Sequence, residues 1–299
     1  MKNIYLILLT LITLSCAHTP KPYNGVGNTK IALSRFFIQG GKTFPEHMQK
    51  VESDIRAASK KGAKYILLAE LNTLDVFTKE PKDVDKEIND LALVSNSYEK
   101  ELSELAKKYQ INIIGATSYT KIKNKLLNRA YFINAKGMIN YQDKVYPTPW
   151  EKKHKIANAK NQVKLFKTKD FSFVILICHD SEFPQLSVQL KKLKPELIFV
   201  PSQTDGAYGR ERVRATSRAR AIENMSYVFL NGGHGSDKEP WHSYVGGASF
   251  FWPQNKYFKL GGVSHFPGAG EPQVIAIDLK KLRKARGDKT QVYPQRDAL

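Results

Sequence analysis

The chain has 299 residues, 41% hydrophobic and 11% aromatic, which is enough for a buried core and excludes a disordered polymer. Lysine and arginine number 47 against 28 aspartate and glutamate, a net charge of +19 that suits nucleic acid, an anionic membrane, an acidic polymer or merely a solvated surface. The basic residues are scattered in short clusters (121–125, 152–155, 191–194, 280–286) without interleaved aromatics or a nucleic-acid motif; this excludes a nucleic-acid partner and leaves a solvated face, with attraction to anionic lipid second.

Residues 1–16 read MKNIYLILLTLITLSC. Lys2 precedes an apolar run from Ile4 to Leu14, too short to span a bilayer, and the small Ser15 stands before Cys16. That is a secretory signal peptide, and its end resembles the lipobox of bacterial lipoproteins, although Thr13 stands where Leu is usual. The expectation is a signal peptide over 1–15, a lipidated Cys16 and a tether over 16–28. The protein would then be exported and held by its lipid on the bacterial cell envelope, against an anionic membrane surface. Ordinary cleavage near Ala17 is the alternative. Cys178 is the one other cysteine, so a disulfide framework is excluded.

The globular domain is expected over 29–286, with a tail over 287–299. KIALSRFFIQ (30–39) reads as a strand. PEHMQKVESDIRAASKKG (45–62) is an amphipathic helix with Met48, Val51, Ile55 and Ala58 on one face. KYILLAEL (64–71) is a buried strand carrying Glu70. A polar loop to about Asn89 and a helix near 95–109 precede the strand INIIGATSY (111–119). RAYFINAKGMINYQDK is a hairpin turning at Lys136–Gly137 and ending at Lys144. YPTPWEKKH reads as a rigid loop because of its two prolines. The strand FSFVILIC (171–178) follows, then a helix over 184–193 and the strand ELIFVP (196–201). A helix over 210–225, the strand YVFLNGG, a Gly-rich hairpin region and the strand PQVIAIDL (272–279) close the domain. Strands alternating with helices argue for one α/β domain.

Glu70, Lys144 and Cys178 each end an apolar, strand-like run. Singly, each has a plain reading: a turn cap, a surface lysine, a core cysteine. Ends of neighbouring parallel strands converge, however, and α/β sheets bind ligands there. A thiol becomes a nucleophile when a base takes its proton or a cation steadies its thiolate. Glu70 fits the base if burial raises its pKa, and Lys144 supplies charge for an oxyanion.

Four segments carry a resemblance to the nitrilase, or carbon–nitrogen hydrolase, superfamily: GAKYILLAEL, INYQDKVYP, VILICHDSEFPQL and RARAIENMSYVFLNGGHG. They stand in the family's order and spacing, and the likeness runs from about Lys30 to Arg286. It implies a four-layer α-β-β-α sandwich and a Glu70–Lys144–Cys178 triad. It also implies a positioning role for Glu151, an oxyanion-hole N–H at His179, a small-molecule amide substrate, a thioester intermediate and no cofactor or metal. A homodimer or higher assembly is implied too. Ala69 and His179 depart from the family's usual Pro and aromatic. The HDSEFP elbow is closer to amidases than to nitrile hydrolases, and the membrane-spanning acyltransferase branch fits poorly. A non-catalytic envelope binding protein on the same scaffold is the reading from another class.

Other features weigh less. His234 and His242 lack further ligands at metal spacing. GGASF (246–250) lacks the second glycine of a serine-hydrolase elbow. The basic run 210–220 has a Val213, Ser217 and Ala221 side suited to packing, which makes its arginines and Glu223 structural. Trp150 and Trp241 read as packing aromatics rather than pocket walls.

Overall fold

The structure, a computed structural model, describes residues 29–159, 162–236 and 244–294. The signal segment, Cys16, the tether, Trp241 and His242 lie outside the described residues. In chain order the elements are β1 (Thr29–Arg35), α1 (Phe44–Lys60), β2 (Tyr65–Leu67), a 3-10 turn (Asn72–Val76), α2 (Val84–Tyr109), β3 (Asn112–Ile122), β4 (Lys125–Ile133), β5 (Ile139–Asp143) and α3 (Pro149–Lys153). Then come β6 (Phe166–Lys167), β7 (Ser172–Ile175), a 3-10 turn (Cys178–Glu182), α4 (Pro184–Leu193), β8 (Leu197–Ser202), α5 (Ala207–Glu223), β9 (Tyr227–Gly232), β10 (Gly247–Phe251), β11 (Val263–Pro267), β12 (Gly270–Ile277) and α6 (Leu279–Gly287).

Two six-stranded sheets result, ordered β12-β1-β2-β3-β4-β5 and β11-β10-β9-β8-β7-β6. The period-2 pattern of a strand divides their side chains between two cores. Ile31, Leu33, Tyr65 and Leu67 join Phe173, Ile175 and Phe199 in the apolar layer that the two sheets share. Their neighbours Ala32 and Ile66 point the other way and pack with Val51 and Ile55 of α1 and Leu102 of α2. On the second sheet, Leu186, Leu190, Val213, Leu282 and Ala285 bring in α4, α5 and α6. This is the expected four-layer α-β-β-α sandwich. Each fully buried Leu, Ile or Phe contributes roughly 1.5–3 kcal/mol.

Several local expectations change. The loop drawn to Asn89 contains a 3-10 turn, and α2 begins at Val84, capped by Asp83, whose carboxylate accepts the Lys86 N–H at 3.0 Å. The charge-mixed start of α2 is the wet side of a helix that buries Ile88, Leu91 and Ala92. The rigid loop after Lys144 contains the short helix α3, because Pro149 occupies its first turn, where no N–H is needed. Thr148 and Glu151 form its capping box. A helix, α6, begins where the closing strand was drawn to end; Asp278 caps it by accepting the Lys281 N–H at 2.8 Å. Among the described residues no helix is long and apolar enough to cross a membrane.

At Gly115 the backbone of β3 runs close to its neighbour in the same sheet and to β8 of the other. Its φ is +84°, and a Cβ there would stand 2.4 Å from the Leu68 carbonyl oxygen and 3.3 Å from Pro201. Only glycine suits that place.

Candidate active site

Glu70, Lys144 and Cys178 meet, but not as ends of adjacent strands in one sheet. Glu70 lies three residues past β2, and Lys144 directly follows β5, three strands further along the first sheet. Cys178 comes three residues after β7, in the second sheet. The packing of two sheets face to face therefore assembles the site.

Each side chain is aimed by a local device. Leu71 takes a left-handed conformation (φ +46°), and its N–H donates to Thr117 Oγ1 at 2.7 Å, so the chain turns sharply after Glu70. Cys178 is also left-handed (φ +46°) and opens a 3-10 turn. A β-to-helix corner of this kind lifts the residue at its apex out of the sheet, and the first N–H groups of the turn have no partner within it. Ser181 Oγ donates to the Cys178 carbonyl at 2.7 Å and fixes the corner. Asp180 ties it to the lysine segment: its carboxylate accepts the N–H groups of Tyr146 (2.8 Å), Val145 (3.2 Å) and Ile177 (3.3 Å). Burial pushes Asp180 up to about 7, against the pull of those donors and of Lys144.

The charges interlock. Lys144 Nζ lies 2.7 Å from Glu70 Oε1 and 2.8 Å from Glu151 Oε2. Asn128 Nδ2 donates to Glu70 Oε1 at 2.9 Å and to Glu151 Oε1 at 2.8 Å. All four side chains are buried, Glu70 to 1% exposure and Lys144 to 2%. Burial raises the Glu70 carboxyl, and Glu151 adds to the rise; Lys144 and Asn128 oppose it. Burial alone would lower the Lys144 ammonium, but Glu151 and Glu70 outweigh it and hold it well above the ordinary lysine value. Burial likewise works against the Glu151 carboxylate, which Lys144 and Asn128 nevertheless keep below its ordinary value. One lysine thus serves two carboxylates that end with opposite shifts, a separation typical of acid–base sites.

The thiol has its own partner. Ser202 Oγ, at the end of β8, donates to Cys178 Sγ at 3.2 Å. Burial and the Glu70 charge raise the thiol pKa, while Lys144 and Ser202 oppose the rise. The resting group is therefore a protonated thiol that feels the charge of a carboxylate whose own pKa is raised.

Around these groups lies a cavity of about 510 Å³, walled by Leu74, Phe77, Tyr119, Trp150 and Tyr244. That size takes a small molecule. A carbon-nitrogen hydrolase family model matches residues 38–254 of the chain. The chain belongs to the carbon-nitrogen hydrolase family. It is 27% identical over 277 residues to "Probable hydrolase YhcX" of Bacillus subtilis, which covers 91% of this chain and 54% of the relative. The chain thus spans about half that protein's length. With "Deaminated glutathione amidase" of Synechocystis it shares 24% identity over 252 residues, 80% of this chain and 89% of the relative. In fold it resembles the crystal structure of Saccharomyces cerevisiae Nit3, a nitrilase-superfamily member. The TM-score is 0.74 at 19% identity, over 88% of this chain and 97% of that one.

The other expected site residues fall variously. Glu151 sits in the cluster, delivered by α3. The His179 ring lines the cavity, with Nδ1 3.1 Å from Glu182 Oε1, and Glu182 Oε2 accepts from Arg212 Nε at 2.8 Å. Trp150, read as a packing residue, instead lines the cavity and is 43% exposed. His234 joins the chain near β1 through its backbone: its carbonyl accepts the Ile38 N–H at 2.7 Å, and its N–H donates to the Phe36 carbonyl. No metal-binding cluster occurs among the described residues. Val213, Ser217 and Ala221 are buried, and Glu223 accepts from Ser187 Oγ at 2.6 Å and Arg220 Nη1 at 2.5 Å. That corner is structural, as its pattern indicates. Asn128 and Ser202 escape sequence reasoning. Their one signal is a polar side chain inside an apolar run.

Proposed function

We propose that the chain hydrolyses the C–N bond of a small linear amide, with Cys178 as nucleophile, Glu70 as general acid–base and Lys144 as oxyanion partner. One observation carries this reading: a buried lysine paired with two carboxylates beside a buried thiol in a substrate-sized cavity. Glu70 takes the Cys178 proton as sulfur bonds to the amide carbon. The carbonyl electron pair moves to oxygen, and the negative charge is met by the Lys144 ammonium and the N–H of His179. Glu70 returns its proton to the nitrogen, the C–N bond breaks, and ammonia or an amine leaves an acyl thioester on Cys178. Glu70 then takes a proton from water, the hydroxide adds to the thioester carbon, and the sulfur departs to regain the proton. Glu151, held by Asn128 and its capping box, keeps Lys144 in place.

The test combines an amide screen with alkylation of Cys178 by iodoacetamide in the full chain. Cys178→Ala should abolish turnover while leaving the melting temperature near that of the parent. Labelling of the parent should be fast at neutral pH and slowed by Glu70→Gln. Turnover by Cys178→Ala, or slow labelling indifferent to Glu70, would refute the mechanism and favour a binding role for the scaffold.

A further inference from the structure

Two basic clusters that stand far apart in the sequence form one face. Arg286 Nη1 donates to the Pro195 carbonyl at 3.1 Å, and Nη2 donates to that of Lys194 at 3.0 Å, across 92 residues. Arg283 pairs with Glu196 at 2.6 Å and donates to the Asp170 carbonyl at 2.7 Å. Both arginines are thereby engaged in holding α6 beside the end of α4. The lysines around them point outward. Lys192, Lys194, Lys280 and Lys284 are exposed, and none has a carboxylate partner among the described residues.

Helix energetics account for only part of this. Lys192 lies in the last turn of α4, where the helix dipole favours a cation. Lys280 lies in the first turn of α6, where the dipole opposes one. Its charge therefore suits something outside the helix.

The place where the chain enters the fold identifies that partner. Thr29, the first residue of β1, pairs with Ile277, two residues before α6 begins. Residues 1–28 thus join the fold beside this face, and they contain the apolar run Ile4–Leu14 and Cys16. A polypeptide as long as the stretch from Cys16 to Thr29 has a coil dimension of roughly 20 Å. The catalytic cluster lies at the other edge of the sheets. Lys194 precedes β8, whereas Ser202 ends it and meets the Cys178 sulfur, about 17 Å further along the strand.

We propose that the face formed by α6 and the carboxyl end of α4 docks on an anionic lipid bilayer, with the catalytic cavity turned toward the aqueous side. Polybasic surfaces next to a membrane-inserting segment bind acidic headgroups in this way, and added salt weakens them. The inference rests on charge and on the position of Thr29, and is independent of the reaction proposed above.

The test measures binding of the full chain to vesicles of phosphatidylcholine alone and of phosphatidylcholine mixed with phosphatidylglycerol. Any contribution of the apolar segment is common to both, so the face is read from the difference. Anionic vesicles should bind at least about a hundredfold tighter at low salt, given the attraction each lysine feels near such a surface. The K192Q/K194Q/K280Q/K284Q variant should lose that preference. A control variant, K82Q/K121Q/K123Q/K125Q, carries four changes at the opposite edge and should keep it. Cys178 should react with iodoacetamide equally fast on vesicles and in solution. Equal binding of the parent to both vesicles, or equal losses in both variants, would overturn docking by this face. Duplex DNA displacing the vesicles through the same four lysines would make it a nucleic-acid surface instead. Alkylation slowed by docking would overturn the orientation.

Discussion

Lys144 Nζ is 2.7 Å from Glu70 Oε1, and the other oxygen of that carboxylate, Oε2, is buried with no hydrogen-bond partner among the described residues. A buried carboxylate oxygen left bare costs free energy unless something protonates or meets it. Oε1 holds the lysine, and in the mechanism proposed above Oε2 is the oxygen that serves the thiol, the leaving nitrogen and the water.

The pH profile follows from this pair. Burial raises the Glu70 carboxyl above the usual carboxylate range, so its basic form is lost at a higher pH than for an exposed glutamate. On the acid side, kcat/KM should fall as pH drops through that raised value. Glu70→Gln should remove this limb and lower the rate by about 10²–10⁴. A profile unchanged by the substitution would exclude Glu70 as the base.

Asn128 joins the two carboxylates through one amide nitrogen. A hydrogen bond to a charged group contributes about 1.5–3 kcal/mol, so Asn128→Ala should lower kcat roughly 10- to 100-fold. KM should change little, because the amide group does not hold substrate. Asn128 also helps restrain the Glu70 pKa, so its loss should move the acid limb to higher pH. A variant that merely melts earlier, with the limb in place, would make Asn128 a structural residue only.

How much of this was legible depended on contrast along the chain. Glu70 and Cys178 stand out because a charge or a thiol closes a run that is otherwise apolar. Lys144 stands out only once those two are placed. Their meeting in space was expected for the wrong reason: they come from two facing sheets, and no periodicity within one strand reports which sheet it joins. Asn128 sits in LNRAYF, where a polar residue in a strand reads as a surface position until Glu70 and Glu151, distant in sequence, are brought against it. Ser202 follows Pro201, and a proline before it reads as the end of the strand, although the strand runs on to Ser202. The start of α2 was obscured because one wet face of a helix looks locally like a loop.

The lipid anchor that the sequence leads us to propose at Cys16 is tested apart from the catalytic site. With Cys16 lipidated, the full chain expressed in a bacterium should incorporate labelled palmitate and partition into detergent. Cys16→Ser should abolish the label. A parent chain that remains unlabelled and is released as a soluble exported protein would indicate cleavage near Ala17 instead.

Asp54 of α1 offers a stability measurement away from the chemistry. Its Oδ2 accepts from Ser34 Oγ at 2.5 Å, and burial raises its pKa to about 6, with Ser34 opposing the rise. The folded state therefore binds this proton more tightly than the unfolded chain does. Between about pH 4 and 6 the Asp54 contribution to stability should fall as pH rises, and above that window it should level off. Asp54→Asn keeps an acceptor for Ser34 and carries no charge to desolvate. The variant should lose that part of the slope and be more stable than the parent at pH 7 by about 1–2 kcal/mol. Urea unfolding midpoints between pH 4 and 8 measure both effects. A parallel shift at every pH would mean that the substitution acts through packing rather than through the buried charge.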